Sequence, residues 1–271
     1  MPSRWARIRA LARKDADEVR QQPGLIIPAI GMVVGLSLPA LFLLVVAPRL
    51  LDEPLADSDF AGAAAALMAE VPALDRLTLE GQAQAFVLQQ FLMFSLLVPV
   101  MGSLSLASQA IVGEKQAKSL EPLLTTPIAV PELLVAKVLT PFVLAMLLLA
   151  ATHLLYVAAM LAWGEPGVWR TLFWPRTLVL FLLLGPLVSM TALLTAAIVS
   201  SRVNDARTAQ QIGGVLALPL TALFVAQLAG QFLLGVSALL MTAGMLVVIN
   251  LVLLWVGVRV FQRETILVRW R

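Results

Sequence analysis

Apolar and polar positions in this 271-residue chain are segregated along its length rather than interleaved. Five stretches (25–48, 81–113, 138–164, 177–201 and 208–258) contain no Asp, Glu, Lys or Arg. They are apolar on every face, unlike a membrane β-strand, whose segments of about 10 residues alternate in polarity. A bilayer core takes about 20 apolar residues per helix. The first four stretches therefore predict one span each, and the fifth, 51 residues long, predicts two. The expected spans lie near 24–47, 85–112, 132–163, 177–200, 208–229 and 232–259. The fold class is all-α, a six-span polytopic membrane protein forming a single transmembrane domain over 1–271.

Composition agrees. The chain is 60% hydrophobic and 13% charged, with a mean hydropathy of +0.93. A soluble domain carries roughly 25% charged residues. A cleavable signal peptide does not account for the first apolar run, which is too long and is followed by five more. With no cysteine there is neither a disulfide framework nor a thiolate metal site. The sequence pI near 9.8 does not point to nucleic acid, because the basic residues gather at span edges.

Those edges set an expected orientation. With six spans both termini share one side, and the segments on that side hold fifteen of the nineteen Lys and Arg residues. Arg49, Arg76, Arg170 and Arg176 fall on the other side. This bias predicts cytoplasmic termini in a plasma membrane, the bacterial inner membrane. In segment 1–22, Trp5, Ile8, Leu11 and Ala12 recur at helical spacing between basic residues, predicting an interfacial helix turned into span 1 at Pro23-Gly24. Segment 48–82 is acidic and reads as a solvated external cap, with a short helix over Ala61–Ala69. Spans 3 and 4 are joined on the same external side by 164–176, where Trp163, Trp169 and Trp174 sit at interfacial depth. Spans 5 and 6 must turn near Gly230-Gln231 with almost no loop, which predicts helix ends that re-enter the outer leaflet.

The segment 113–130, between spans 2 and 3, is more than a connector. Ala117, Leu120 and Leu124 fall on one helical face, opposite a stripe of Glu114, Lys118 and Glu121. Pro122 kinks this helix or starts a second turn, and Pro131 suits the first turn of span 3. An amphipathic helix without a partner in its own chain buries its leucines in lipid or in a groove on another protein.

Here the chain resembles the type-2 ABC exporter permeases. The loop reads Glu114-Lys115, then Ser119-Leu120-Glu121-Pro122-Leu123-Leu124 and Pro127, followed by Glu132-Leu133 and Lys137. Arg13-Lys14-Asp15, Ala209-Gln210-Gln211 with Pro219, and Arg263-Glu264-Thr265-Ile266-Leu267 extend the resemblance over the whole chain. The resemblance implies that the loop is a coupling helix seated on a separate ABC ATPase subunit, with Glu114, Lys118, Leu120, Glu121, Leu123, Leu124 and Pro127 as coupling residues. It also implies a second permease copy or a homologue, re-entrant helices between spans 5 and 6, and ATP and magnesium bound by the partner, with no cofactor in this chain. No Gly-x-x-x-x-Gly-Lys-[Ser/Thr] loop occurs in the sequence, so the chain is not expected to hydrolyse ATP itself.

Polar residues inside the spans are few: Gln89, Gln90, Gln109, His153, Tyr156 and Asn250. His153 falls near mid-bilayer, where an ionisable side chain is a functional candidate, as a proton relay or substrate contact. The competing role for His153, and for Gln109 and Asn250, is hydrogen bonding between helices. Gly31-Met32-Val33-Val34-Gly35 forms a GxxxG that permits close helix approach, and Gly31 and Gly35 are candidates for a dimer seam. A self-contained secondary transporter or channel is the alternative function, but that class places charges within its spans. An intramembrane enzyme is disfavoured by one histidine and no cysteine.

Overall fold

The structure, a computed structural model, describes residues 9, 13, 14, 17, 21, 23–57, 76–116, 130–203, 205–230 and 234–260. Six helices in it are long and apolar enough to cross a membrane: Ile27–Leu51, Leu79–Gln109, Val138–Trp163, Pro175–Ser200, Ala206–Ala229 and Val236–Val260, here spans 1 to 6. Among the described residues there is no strand. We call the bundle end where span 1 begins and span 6 finishes the terminal face, and the opposite end the distal face. Before span 1, the described positions Arg9, Arg13, Lys14, Asp17 and Gln21 are all helical. The expected helix over Ala61–Ala69, the segment 117–129 and the 263–267 motif lie outside the described residues.

Proline writes the irregularities of the spans. Lacking an N–H, a proline leaves the carbonyl four residues back without its helical partner and crowds it. Span 2 breaks into Leu79–Phe94 and Leu97–Gln116 at Ser95-Leu96, and Pro99 sits four residues after Ser95. The break is repaired locally: Val98 N donates to the Ser95 carbonyl at 3.0 Å, and the Ser95 hydroxyl donates to the Leu92 carbonyl at 2.7 Å. Span 5 repeats the device, with Ala206–Gly214 and Ala217–Gly230 parted at Val215-Leu216 and Pro219 four residues after Val215. Two π-helical stretches, Phe42–Val46 and Val179–Leu184, run up to Pro48 and Pro186. Span 2 starts well before its expected position, because Thr78 caps it: its side chain accepts from Gly81 N at 3.0 Å, and the helix begins at Leu79.

Lipid is as apolar as leucine, so packing and hydrogen bonds hold the bundle, and small side chains let helices approach closely. Span 4 buries Gly185, Ser189, Ala192, Ala196 and Ser200 along one face. That face packs on span 2, and the Ser103 and Ser189 hydroxyls meet there at 2.6 Å. Span 2 is the hub, touching spans 1, 3, 4 and 5, and 83% of its most apolar window is buried, against 17–28% for spans 1, 3, 5 and 6. Two apolar cores follow from the kink in span 2. One, on the distal side, gathers Phe86, Phe91, Leu92, Tyr156, Leu172 and Leu180. The other, on the terminal side, gathers Val100, Leu104, Val138, Leu193 and Ala197.

Spans 5 and 6 pack mainly on spans 2 and 4 and barely touch each other. The expected re-entrant helices between them are not found among the described residues. Two full-length helices, ending at Gly230 and resuming at Val236, consume the charge-free stretch and leave only a short connection. At the end of span 6, the Arg259 guanidinium lies 3.7 Å from the Trp255 ring centroid, as expected of an interfacial anchor on the terminal face.

Candidate functional site: polar seams through the bundle

A polar group inside a bilayer must find a partner within the protein. Tracing those partners shows where the helices are tied together. The largest cluster lies at the distal end of the bundle and centres on Arg176. This arginine, placed by the sequence on the side away from the termini, is buried there, 9% exposed. Pro175 opens the helix, turning the next side chain inward between span 2 and the connection that joins spans 5 and 6. Its Nη1 donates to Gln89 Oε1 at 2.6 Å and to the Gln89 carbonyl at 3.1 Å, and its Nε donates to the Leu234 carbonyl at 3.0 Å. Nη2 has no hydrogen-bond partner among the described residues. All three acceptors are neutral oxygens.

Gln89 is the hub of this cluster. Its Nε2 donates to the Thr171 carbonyl at 2.9 Å and to Thr177 Oγ1 at 3.0 Å, and the Thr177 hydroxyl also donates to the Thr171 carbonyl at 3.0 Å. Next to it Gln90 Nε2 approaches the Gln227 carbonyl at 3.5 Å, and Gln227 Oε1 accepts from Leu234 N at 3.1 Å. One buried network thus joins spans 2, 4 and 5 to two distal connections. The adjacent Gln89-Gln90 amides, within a charge-free stretch, were the sequence signal for it.

A second set of bonds closes the distal face. Glu80 Oε2 accepts from Ala56 N at 2.9 Å, which ties the 3-10 turn Leu55–Asp57 to span 2. Gln84 Oε1 accepts from Glu165 N at 2.9 Å, and the Thr78 hydroxyl donates to Glu165 Oε2 at 3.1 Å. Asp52, at φ 53°, ends span 1 in the left-handed region that asparagine and aspartate tolerate best after glycine.

Of the residues singled out from sequence, Asn250 joins spans 6 and 4: its Nδ2 donates to the Leu187 carbonyl at 3.0 Å, and its Oδ1 accepts from the Thr191 hydroxyl at 3.1 Å. Gln109 Nε2 donates to Ser105 Oγ at 3.3 Å, and Gln210 of span 5 reaches the same hydroxyl at 3.5 Å. His153 sits among aromatic rings, 4.6 Å from Phe181 and 5.6 Å from Phe173 between centroids. Its Nδ1 has no hydrogen-bond partner among the described residues. Gly31 and Gly35 are exposed, and a Cβ added to either would meet nothing within 4 Å, so the described part of this chain leaves that face free. Glu114 belongs to the helix Leu97–Gln116, while Lys118, Leu120, Glu121, Leu123, Leu124 and Pro127 lie outside the described residues. Among the described residues no group of three or more His, Cys, Asp or Glu side chains could hold a metal ion.

The architecture is therefore that of a membrane bundle in which many described polar groups join helices to one another or to the distal connections. Among curated proteins none matches the chain. The family described as ABC-2 family transporter protein matches residues 9–256, which takes in spans 1 to 5, most of span 6, the loop between spans 2 and 3 and every polar seam described above. The chain belongs to the ABC-2 family of membrane transport proteins.

Proposed function

We propose that this protein is the membrane-spanning permease of an ATP-driven exporter, working as a pair of permease chains coupled to a separate ABC ATPase that binds ATP and magnesium. The family match across 9–256, with the docking-type loop falling between spans 2 and 3, carries the reading. An amphipathic loop helix at that point offers Leu120, Leu123 and Leu124 to a groove on the ATPase, flanked by Glu114, Lys118 and Glu121, with Pro127 closing the segment. The positive-inside bias supports putting that loop and both termini in the cytoplasm of a bacterial inner membrane. The second chain would seat on the open face of span 1 at Gly31 and Gly35, where small residues allow helix axes to come close. His153 and Asn250 then serve mainly as helix-to-helix contacts, and Gln109 bonds Ser105 within span 2, where Gln210 of span 5 reaches the same hydroxyl. No described observation favours a self-contained transporter: His153 is set among phenyl rings rather than beside a carboxylate.

The test is co-purification with a candidate ATPase, followed by ATP hydrolysis and transport in proteoliposomes. Replacing Leu120, Glu121 and Leu124 together with alanine is expected to release the ATPase or to uncouple hydrolysis from transport while the six spans still insert. Unchanged assembly and transport in that triple variant would refute the coupling role.

A further inference from the structure

The distal face carries a cavity of about 680 Å³, lined by Arg76, Leu77, Pro166, Arg170, Thr171 and Trp174. That volume lies within the usual range for small-molecule sites, roughly 300–1,000 Å³. Its construction is specific. The connection after span 3 turns at Gly167, whose φ of +94° favours glycine, and a Cβ there would sit 3.0 Å from Leu77 Cδ2. This close approach presses the connection against the start of span 2. Arg170 N then donates to the Gly167 carbonyl at 3.1 Å, starting the 3-10 turn Val168–Phe173. The result places two arginines, Arg76 before span 2 and Arg170 before span 4, among the residues lining one cavity, with the Arg170 guanidinium 5.7 Å from the Trp169 ring centroid.

Among the described residues no carboxylate lines the cavity. The nearby Glu165 accepts from the Thr78 hydroxyl, and Glu80 accepts from Ala56 N. Two like charges sharing a space repel unless an anion lies between them. A third cation stands behind the floor: the Thr171 carbonyl accepts from Gln89, whose own oxygen accepts from the buried Arg176. Leu77, Pro166 and Trp174 give the same space an apolar side. We propose that this cavity binds the anionic group, a phosphate or a carboxylate, of an amphipathic molecule, held by Arg76 and Arg170 with its apolar part against Trp174. This inference does not rest on coupling to an ATPase.

Two sources share this chemistry, a bilayer headgroup and a free anion. The full chain in phosphatidylcholine nanodiscs would be titrated calorimetrically with inorganic phosphate, and the chain in nanodiscs containing phosphatidylglycerol would be assayed for retained lipid by native mass spectrometry. Binding of phosphate identifies a free-anion site, and selective retention of phosphatidylglycerol identifies a headgroup site. In either arm the double variant R76Q/R170Q is expected to weaken binding at least tenfold, and R76K/R170K less. Arg76 and Arg170 are exposed, so both variants should fold, as an unchanged circular dichroism melt would verify. Failure of the wild-type chain to bind either probe above the phosphatidylcholine background, or equal binding by R76Q/R170Q, overturns the proposal.

Discussion

Arg176 and Gln89 lie 87 positions apart in sequence yet are joined twice, through the glutamine's side-chain oxygen at 2.6 Å and its backbone carbonyl at 3.1 Å. The pair fixes the start of span 4 to span 2. Because the acceptors are neutral, the guanidinium depends wholly on good geometry. Removing a partner from a buried charge is costlier than removing the charge itself, since the first leaves an uncompensated ion.

Gln89→Ala should therefore destabilise the protein more than Arg176→Met. The expected losses are about 2–4 kcal/mol for the first and about half that for the second, by analogy with buried ionic contacts. Thermal melts in detergent of both single variants and the double variant give the coupling. A larger drop for Arg176→Met than for Gln89→Ala would show that the arginine contributes by packing rather than through its charge.

Gly213, in span 5, abuts span 2 so closely that an added Cβ would meet Leu104 Cδ2 at 2.5 Å. Gly213→Ala should cost about 1–3 kcal/mol, the usual range for overpacking. Leu104→Ala in the same chain should recover part of that loss. Melting temperatures of the single and double variants check this; additive losses would mean that the two side chains do not compete for the same space.

Asp205 caps the helix at the start of span 5, its carboxylate accepting from Thr208 N at 2.9 Å and from the Thr208 hydroxyl at 3.0 Å. The Thr208 backbone bond, aided by the Thr208 hydroxyl, holds the Asp205 carboxyl below its ordinary range. Its stabilisation is thus complete above the unfolded value of about 3.9 and fades as the pH falls through the lower native value. Protection against amide exchange across Ala206–Gly214, taken relative to the intrinsic rate at each pH, should fall on acidification in the wild-type chain. In Asp205→Ala it should be low throughout and show no such fall.

The cysteine-free sequence allows a direct test of the proposed seam. Gly35→Cys should form a disulfide-linked dimer in membranes under mild oxidation, visible as a doubled mass on non-reducing gels. Leu251→Cys, on the exposed side of span 6, should not. Equal crosslinking at both positions would indicate random collision rather than a seam on span 1.

The six spans were legible because charge is so costly in hydrocarbon that a run of about 20 apolar residues without any is the mark of a membrane crossing. The breaks in spans 2 and 5 were legible in principle from Pro99 and Pro219, since a lost N–H acts four residues upstream. The π stretches ahead of Pro48 and Pro186 were not, because a helix can absorb a proline in more than one way, as the unbroken run through Pro141 shows. The burial of Arg176 was not legible for a different reason. An arginine at a span edge normally reaches for water, and only a fold that brings Gln89 to it makes burial tolerable. The cavity between Arg76 and Arg170 was equally hidden, because its walls come from segments far apart in sequence that meet through the turn at Gly167 and the bonds of Glu165 to Thr78 and Gln84.

The terminal half of span 2 has a mechanical consequence. The most enclosed rod of the bundle continues as one helix, Leu97–Gln116, into the first residues of the segment read as the docking loop. A push delivered there would reach the axle of the molecule before its rim. The Pro99 break, with its hydrogen bonds already rearranged, is where such a push could be turned into a tilt rather than a slide. Under the proposed coupling, the more exposed outer spans would then swing around that enclosed centre, and stiffening the one joint should be enough to stall transport.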